Sequence, residues 1–152
     1  MRIAVAATPE VALPTLHWLL TSEHDLVRVI SQPDKPSGRG QELHASPVSQ
    51  WAIANSTDLV RPANILEIDA AIADIDLLIT IGYGRILPST TISIPKFGCI
   101  NLHFSLLPKY RGAAPVQRAI EAGETQTGVT VFALDPGMDT GPIYASITTP
   151  ID

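Results

Sequence analysis

Asn101, His103 and Asp139 supply an amide, an imidazole and a carboxylate, the side chains that acyl transfer to an amine requires. When an amine attacks an acyl carbon, negative charge grows on the carbonyl oxygen and a proton must leave the nitrogen. The first event calls for hydrogen-bond donors and the second for a group that titrates near neutrality. Asn101 and His103 stand two residues apart in the extended run Cys99-Ile-Asn-Leu-His103, so their side chains share one face while Ile100 and Leu102 share the other. An amide donates at any pH, and an imidazole donates or accepts. Asp139, within Asp135-Pro-Gly-Met-Asp-Thr-Gly141, is expected to orient that imidazole as the carboxylate of a catalytic triad does, without a serine. Each residue also has a plainer role: Asn101 capping a strand end, His103 filling a loop or core, Asp139 opening a turn before Gly141. Their joint occurrence beside a proline- and glycine-bound loop favours chemistry.

Such a site needs elements to hold it. Apolar runs at 3–7, 26–31, 77–81, 99–103 and 129–134 predict buried strands, and 143–149 reads as strand-like. Segments 10–21, 47–55, 66–74 and 114–122 predict helices, with Thr8 and Pro9 as a candidate N-cap and first position and Pro14 arguing for a delayed start or a kink. Strands alternating with helices predict an α/β fold with crossover helices on both faces of the sheet. Residues 32–47, rich in Pro, Gly and Ser, read as the long loop of the chain, and a loop of that length in a compact domain is usually functional.

Composition sets outer limits. The chain has 152 residues, 45% of them hydrophobic, enough for one domain with a real core. A formal net charge of −5 argues against a broad nucleic-acid-binding face, so an RNA partner would need a local basic patch. The single cysteine, Cys99, excludes an internal disulfide and a cysteine-rich zinc site. It is expected to be a buried strand residue with no base to activate it. His17, His24 and His44 lack metal-ligand spacing, and no metal is expected. The amino-terminal run is broken by Thr8-Pro9 too early for a signal peptide, and no apolar run approaches the ~20 residues of a membrane span. A reducing, cytoplasmic setting and no membrane partner follow as expectations. Gly38-Arg39-Gly40 is no dinucleotide fingerprint, because it sits in a loop rather than at the first strand-to-helix turn.

Asn101-Leu-His103, Ser105-Leu-Leu-Pro108, Tyr110-Arg-Gly-Ala-Ala-Pro-Val-Gln117, Thr127-Gly-Val-Thr130 and Asp135-x-Gly-x-Asp139-Thr-Gly141 together closely resemble the folate-dependent formyltransferases. The front of the chain, Gln32-Pro-Asp-Lys-Pro-Ser-Gly-Arg-Gly40 with Ser46-Pro-Val48, is most similar to the branch acting on methionyl-tRNA. The resemblance covers essentially the whole chain. It implies a Rossmann-like, mostly parallel sheet, transfer of formyl from 10-formyltetrahydrofolate to an amine, and catalytic roles for Asn101, His103 and Asp139. It implies folate contacts from Ser105, Leu106, Leu107 and Pro108. Gly82-Tyr83-Gly84 with Ile86 and Leu87 is either an ordinary strand-to-loop turn or, as the resemblance implies, a wall of the pterin pocket built by Gly84, Ile86 and Leu87.

The same branch implies that Lys35 and Arg39 enter the tRNA acceptor arm, although Gln41-Glu42 is less basic than its pattern and Ala7 stands where glycine is usual. Lys109, Arg111 and Arg118 extend a basic rim, or else Arg111 and Arg118 only pair with carboxylates or pack their stems. No obligate protein partner is implied. The branch continues past the length of this chain into a C-terminal β-barrel, so residues 1–152 are expected to be a truncated catalytic domain of uncertain activity on its own. The alternatives are a formyltransferase for a small amine, such as glycinamide ribonucleotide or an amino sugar, and a folate- or RNA-binding module without turnover.

Overall fold

The computed structural model describes residues 1–37 and 42–152. Nine strands are formed among them: β1 (Arg2–Ala7), β2 (Asp25–Ile30), β3 (Lys35–Ser37), β4 (Glu42–His44), β5 (Leu59–Val60), β6 (Leu77–Ile81), β7 (Cys99–His103), β8 (Gln126–Ala133) and β9 (Ile143–Pro150). The helices are α1 (Leu13–Thr21), α2 (Pro47–Ala54), α3 (Ile65–Ile72), α4 (Ser89–Ile92) and α5 (Pro115–Glu121). The main sheet runs β5-β2-β1-β6-β7-β8-β9. Neighbours pair in parallel from β5 to β7, and β8 and β9 are antiparallel additions.

Helices cover both faces of the parallel part, as the alternation of elements predicts. Ile3, Val5, Ala7, Val29 and Ile81 pack with Leu16 and Leu19 of α1 and Val48, Trp51 and Ala52 of α2. Ala4, Ala6, Ile30, Leu78 and Cys99 pack on the opposite face with Ile68, Ala71 and Ile72 of α3. Each fully buried aliphatic side chain stabilises the fold by roughly 1.5–3 kcal/mol relative to exposure.

The helix starts show the local chemistry. The predicted helix at 10–21 is a single 3-10 turn at Glu10–Ala12 followed by α1, so the delayed start signalled by Pro14 is what forms. Pro14 falls in the first turn, where a missing N–H costs nothing. Thr8 does not cap this helix; its hydroxyl donates to Tyr83 O at 3.2 Å. Ser46 caps α2 by accepting from Ser49 N at 3.0 Å, with Pro47 at the first position. Asn64 caps α3 by accepting from Glu67 N at 3.1 Å, while Glu67 reaches back to Ala63 N at 2.8 Å, a capping-box arrangement.

Three features correct the sequence expectation. Within the 32–47 stretch, read from sequence as a loop, the described residues form β3 and β4, which pair antiparallel, Lys35 opposite His44 and Ser37 opposite Glu42. The short strand β5 extends the sheet beyond β2, and α4 precedes β7. Both are too short for a periodic signal. The ribbon is tied at its base, where Ser31 Oγ and Ser46 Oγ lie 2.7 Å apart, Ser46 Oγ donates to Ser49 Oγ at 3.1 Å, and Arg61 pairs with Asp34 at 3.3 Å. Among the described residues no helix is long and apolar enough to cross a membrane.

Candidate active site

The exits of the parallel strands meet at one backbone carbonyl. Tyr83 O, just past β6, accepts from Thr8 Oγ1 after β1 and from Gln32 Nε2 after β2 at 3.1 Å. Gly82 and Gly84 flank it with φ of +53° and +76°, and a Cβ on Gly82 would lie 2.7 Å from Pro9 Cγ. Ligand crevices in open α/β sheets lie beyond these strand ends, near the point where strand order reverses, here between β1 and β6. The loop therefore lies where a wall is useful. Leu87 is buried within it, whereas Ile86 is 84% exposed and turns outward.

One strand further on, β7 presents Asn101 and His103. Asn101 is half-buried, alongside Thr80 of β6 and opposite Phe132 of β8. His103 is 6% exposed, opposite Thr130, with its ring edge-on to Phe132 at 6.4 Å between centroids. Asp139 arrives from the turn after β8. Its Oδ2 lies 3.7 Å from His103 Nδ1, a distance for charge attraction rather than a hydrogen bond, and accepts Gly112 N–H at 2.7 Å. On the other side of the ring, His103 Nε2 lies 2.9 Å from Tyr110 O. A carbonyl only accepts, so the network assigns a proton to Nε2. Both ring nitrogens thus face oxygens, Nε2 within hydrogen-bond distance and Nδ1 within reach of charge attraction.

The loops that deliver these partners adopt costly backbone conformations. Among the described non-glycine residues, positive φ occurs at Ser56, Tyr110, Ala114 and Asp139, and Tyr110 and Asp139 are the two that face this ring. Each such residue costs ~1–3 kcal/mol and persists only where its surroundings over-determine it. Around Asp139 that is done by Asp135, whose Oδ1 accepts from Gly137 N at 3.0 Å and from Thr140 Oγ1 at 2.8 Å. Gly141 passes so close to β8 that any Cβ would collide with Ala133 O. Arg111 Nε donates to Asp139 O at 3.2 Å, and Arg118 donates to Arg111 O at 2.8 Å. These two arginines thus brace main-chain carbonyls rather than pairing with carboxylates, while Lys109 pairs with Glu124 at 2.8 Å.

The turn at 105–108 is fixed from within. Thr130 Oγ1 donates to Ser105 O at 2.7 Å and accepts Leu107 N–H at 3.2 Å, and the buried Ser105 hydroxyl donates to Lys109 O at 2.6 Å. Leu106 and Pro108 border a groove of about 320 Å³ shared with Tyr110, Glu124 and Thr127. A larger hollow of about 510 Å³ beside Glu10 and His17 contains none of the acyl-transfer side chains, so size does not locate the chemistry. Cys99 is buried, and burial pushes its thiol up to about 12, which leaves no thiolate nucleophile at neutral pH. Lys35 is exposed on β3; Arg39 lies outside the described residues. Among the described residues, no group of three or more His, Cys, Asp or Glu side chains is placed to hold a metal ion.

The structure therefore brings His103 and Asp139 together, with Asn101 on the same strand. Sequence reasoning missed Tyr110 O, Gly112 N–H and the Thr130 hydroxyl. Thr130 and Gly112 lie inside quoted motifs, which was the available signal.

A family model described as formyl transferase matches residues 1–152, the entire chain. The chain belongs to the formyl transferase family. Methionyl-tRNA formyltransferase of Pseudomonas fluorescens (strain SBW25) is 49% identical over 155 residues, covering 99% of this formyl transferase chain and 49% of the relative. The chain thus spans about half the length of the curated relatives it matches. Among solved structures, glycinamide ribonucleotide transformylase 1 from Geobacillus kaustophilus is similar with a TM-score of 0.80 and 26% identity, over 99% of this chain and 83% of that one. WlaRD, a sugar 3N-formyl transferase solved in the presence of dTDP and 5-N-formyl-THF, is similar with a TM-score of 0.75 and 26% identity, over 100% of this chain and 53% of that one.

Proposed function

We propose that residues 1–152 form the domain that transfers formyl from 10-formyltetrahydrofolate to the α-amine of methionyl-tRNA. The observation that carries this reading is the His103 ring, held between Tyr110 O and Asp139 Oδ2 at the exit of β7, two residues beyond Asn101. The identity to methionyl-tRNA formyltransferases supports the choice of acceptor. In this mechanism the amine nitrogen bonds to the formyl carbon, the bond from that carbon to the folate nitrogen breaks, and the amine's proton is passed to the departing nitrogen. The donor supplies the formyl carbon and that proton-accepting nitrogen. The Asn101 amide donates to the oxygen on which charge develops. His103 keeps Nε2–H on Tyr110 O, so Nδ1, on the side shared with Asp139, is the atom that holds or passes a proton. Asp139 stabilises the ring when it is charged.

The fit of a folate rests on Gly84 on one loop and on Leu106, Leu107 and Pro108 on the other, with the buried Leu87 and Ser105 supporting the two loops from behind. Ile86 would contribute only by turning inward from its exposed position. Lys35 and Arg39 are assigned to the tRNA acceptor arm. A small-amine acceptor is the second reading, favoured by the likeness to the Geobacillus transformylase.

A transfer assay decides between them, offering the protein that bears this chain 10-formyltetrahydrofolate with methionyl-tRNA, glycinamide ribonucleotide or an amino sugar nucleotide. Formylated methionyl-tRNA is the expected product. Transfer to a small amine alone moves the assignment to the second reading, and folate binding with neither transfer nor hydrolysis makes the chain a binding module.

A further inference from the structure

Several side chains behind the His103 ring take no part in the transfer step, yet they converge on it. Tyr110 holds a left-handed backbone, φ +56°, unusual for a bulky residue, and its side chain is tethered at the far end. The phenol donates to Glu124 Oε1 at 2.9 Å, Lys109 Nζ reaches the same oxygen at 2.8 Å, and the Arg118 guanidinium lies over the ring, 5.6 Å from its centroid. The Lys109 ammonium, and after it the Tyr110 hydroxyl, hold the Glu124 carboxyl below the ordinary carboxylate range, so the acceptor is charged at neutral pH. Its hydrogen bond in turn raises the Tyr110 phenol above its usual range, which keeps that group a donor. The carbonyl of this tethered residue takes the His103 Nε2–H.

We propose that Glu124 is a positioning residue for His103, acting through the Tyr110 phenol to fix the carbonyl that decides which ring nitrogen keeps its proton. A neutral imidazole held by Tyr110 O carries its hydrogen on Nε2, which leaves Nδ1 as the working atom. Without the tether, the residue relaxes from its left-handed conformation, the carbonyl turns away, and Nδ1–H competes by bonding Asp139. The consequence for rate rests on the reading of His103 as the transfer residue; the consequence for the ring does not.

The test is nitrogen NMR of the histidine side chains in the protein that bears this chain, with His103 assigned from the His103→Gln spectrum, alongside thermal melts. The unsubstituted chain is expected to show neutral His103 predominantly as the Nε2–H tautomer. Tyr110→Phe and Glu124→Ala should raise the Nδ1–H share severalfold, while Glu124→Gln, whose amide oxygen still accepts from the phenol, should restore most of the original ratio. In a single-turnover assay the first two variants should slow transfer on the order of tenfold at unchanged folate affinity, as a misplaced group does, with Glu124→Gln in between. Tyr110→Phe removes only a part-buried hydroxyl and keeps the ring, so it remains informative if Glu124→Ala does not fold. An unchanged tautomer ratio in folded Tyr110→Phe overturns the proposal. A shifted ratio in a protein that transfers formyl to no acceptor upholds it and removes the transfer reading instead.

Discussion

On its β6 side, β7 joins strands that run parallel and disappear into the core, five consecutive residues of β1 being buried; on its β8 side the strands are antiparallel, and every residue of β9 is exposed. The two sides are made rigid in different ways. The parallel side is held by apolar burial, with Leu16, Leu19, Val29 and Val48 removed from water. The antiparallel side holds its loops by side-chain hydrogen bonds with main chain, donated by Thr130, Ser105, Arg111 and Arg118 and accepted by Asp135, and it tolerates left-handed backbone at Tyr110, Ala114 and Asp139. Packing sets a position by filling space, whereas a directed bond sets which atom faces which. The proposed chemistry needs the second kind of control, and His103 stands where the two meet.

Substitutions on the two sides should therefore fail in different assays. The largest effect is expected for His103→Ala: single-turnover formyl transfer per folded molecule falls ~10³-fold, within the range for a lost proton-transfer group, while folate affinity barely moves. Loss of folate binding with unchanged chemistry in the bound state would make the ring structural. Next, Leu16→Ala should lower unfolding free energy by about 2–5 kcal/mol in denaturant titrations, because its side chain is completely buried between α1 and the sheet. Transfer per folded molecule should stay the same; a loss of rate greater than the loss of folded protein would breach the division between the two sides.

Asp139→Asn should reduce transfer ~10²-fold, since asparagine tolerates the left-handed backbone and still accepts Gly112 N–H but brings no charge to His103. A large drop in stability would show that the carboxylate serves the turn instead. The smallest effect belongs to the far edge of the parallel side, where Asp74 pairs with Arg2 at 2.6 Å and with Arg28 at 3.1 Å. The hydrogen bond from Arg2, then that from Arg28, hold the exposed Asp74 carboxyl below the usual range. Its contribution is complete above the ordinary carboxylate value and is lost as pH falls through the lowered folded value. Asp74→Asn should cost no more than ~1 kcal/mol at neutral pH, and the difference from the unsubstituted chain should vanish in acid. Equal melting curves at pH 7 would show that the cluster contributes nothing.

The parallel side was legible because burial leaves a record in residue type: runs such as Ile3-Ala-Val-Ala-Ala7 and Leu77-Leu-Ile-Thr-Ile81 signal strands by themselves. The shared face of Asn101 and His103 was equally local, following from alternation along one strand. The supports of the site left a fainter trace. Tyr110 O and Gly112 N–H are backbone groups of a kind that nearly every residue carries, so no residue type announces them. Left-handed backbone at Tyr110 and Ala114 runs against propensity and is imposed by tertiary contacts. For Arg111 and Arg118, charge left a basic rim, carboxylate pairing and stem packing all open, whereas the fold offered carbonyls within reach. The ribbon of β3 and β4 was hidden because proline, glycine and serine report turn chemistry, not the cross-strand pairing of Lys35 with His44.

The contact between Ser31 Oγ and Ser46 Oγ joins residues fifteen apart in the chain, at the point where the sheet ends and α2 begins. It makes the ribbon a closed side branch whose two ends are pinned to the scaffold. Closing a loop costs entropy that grows only with the logarithm of its length, about 0.6 kcal/mol for a doubling. Insertions and deletions between the two serines are thus nearly neutral for folding, while substitutions at the serines themselves are not. A lineage can lengthen, shorten or recharge this branch without disturbing the strand that carries Asn101 and His103.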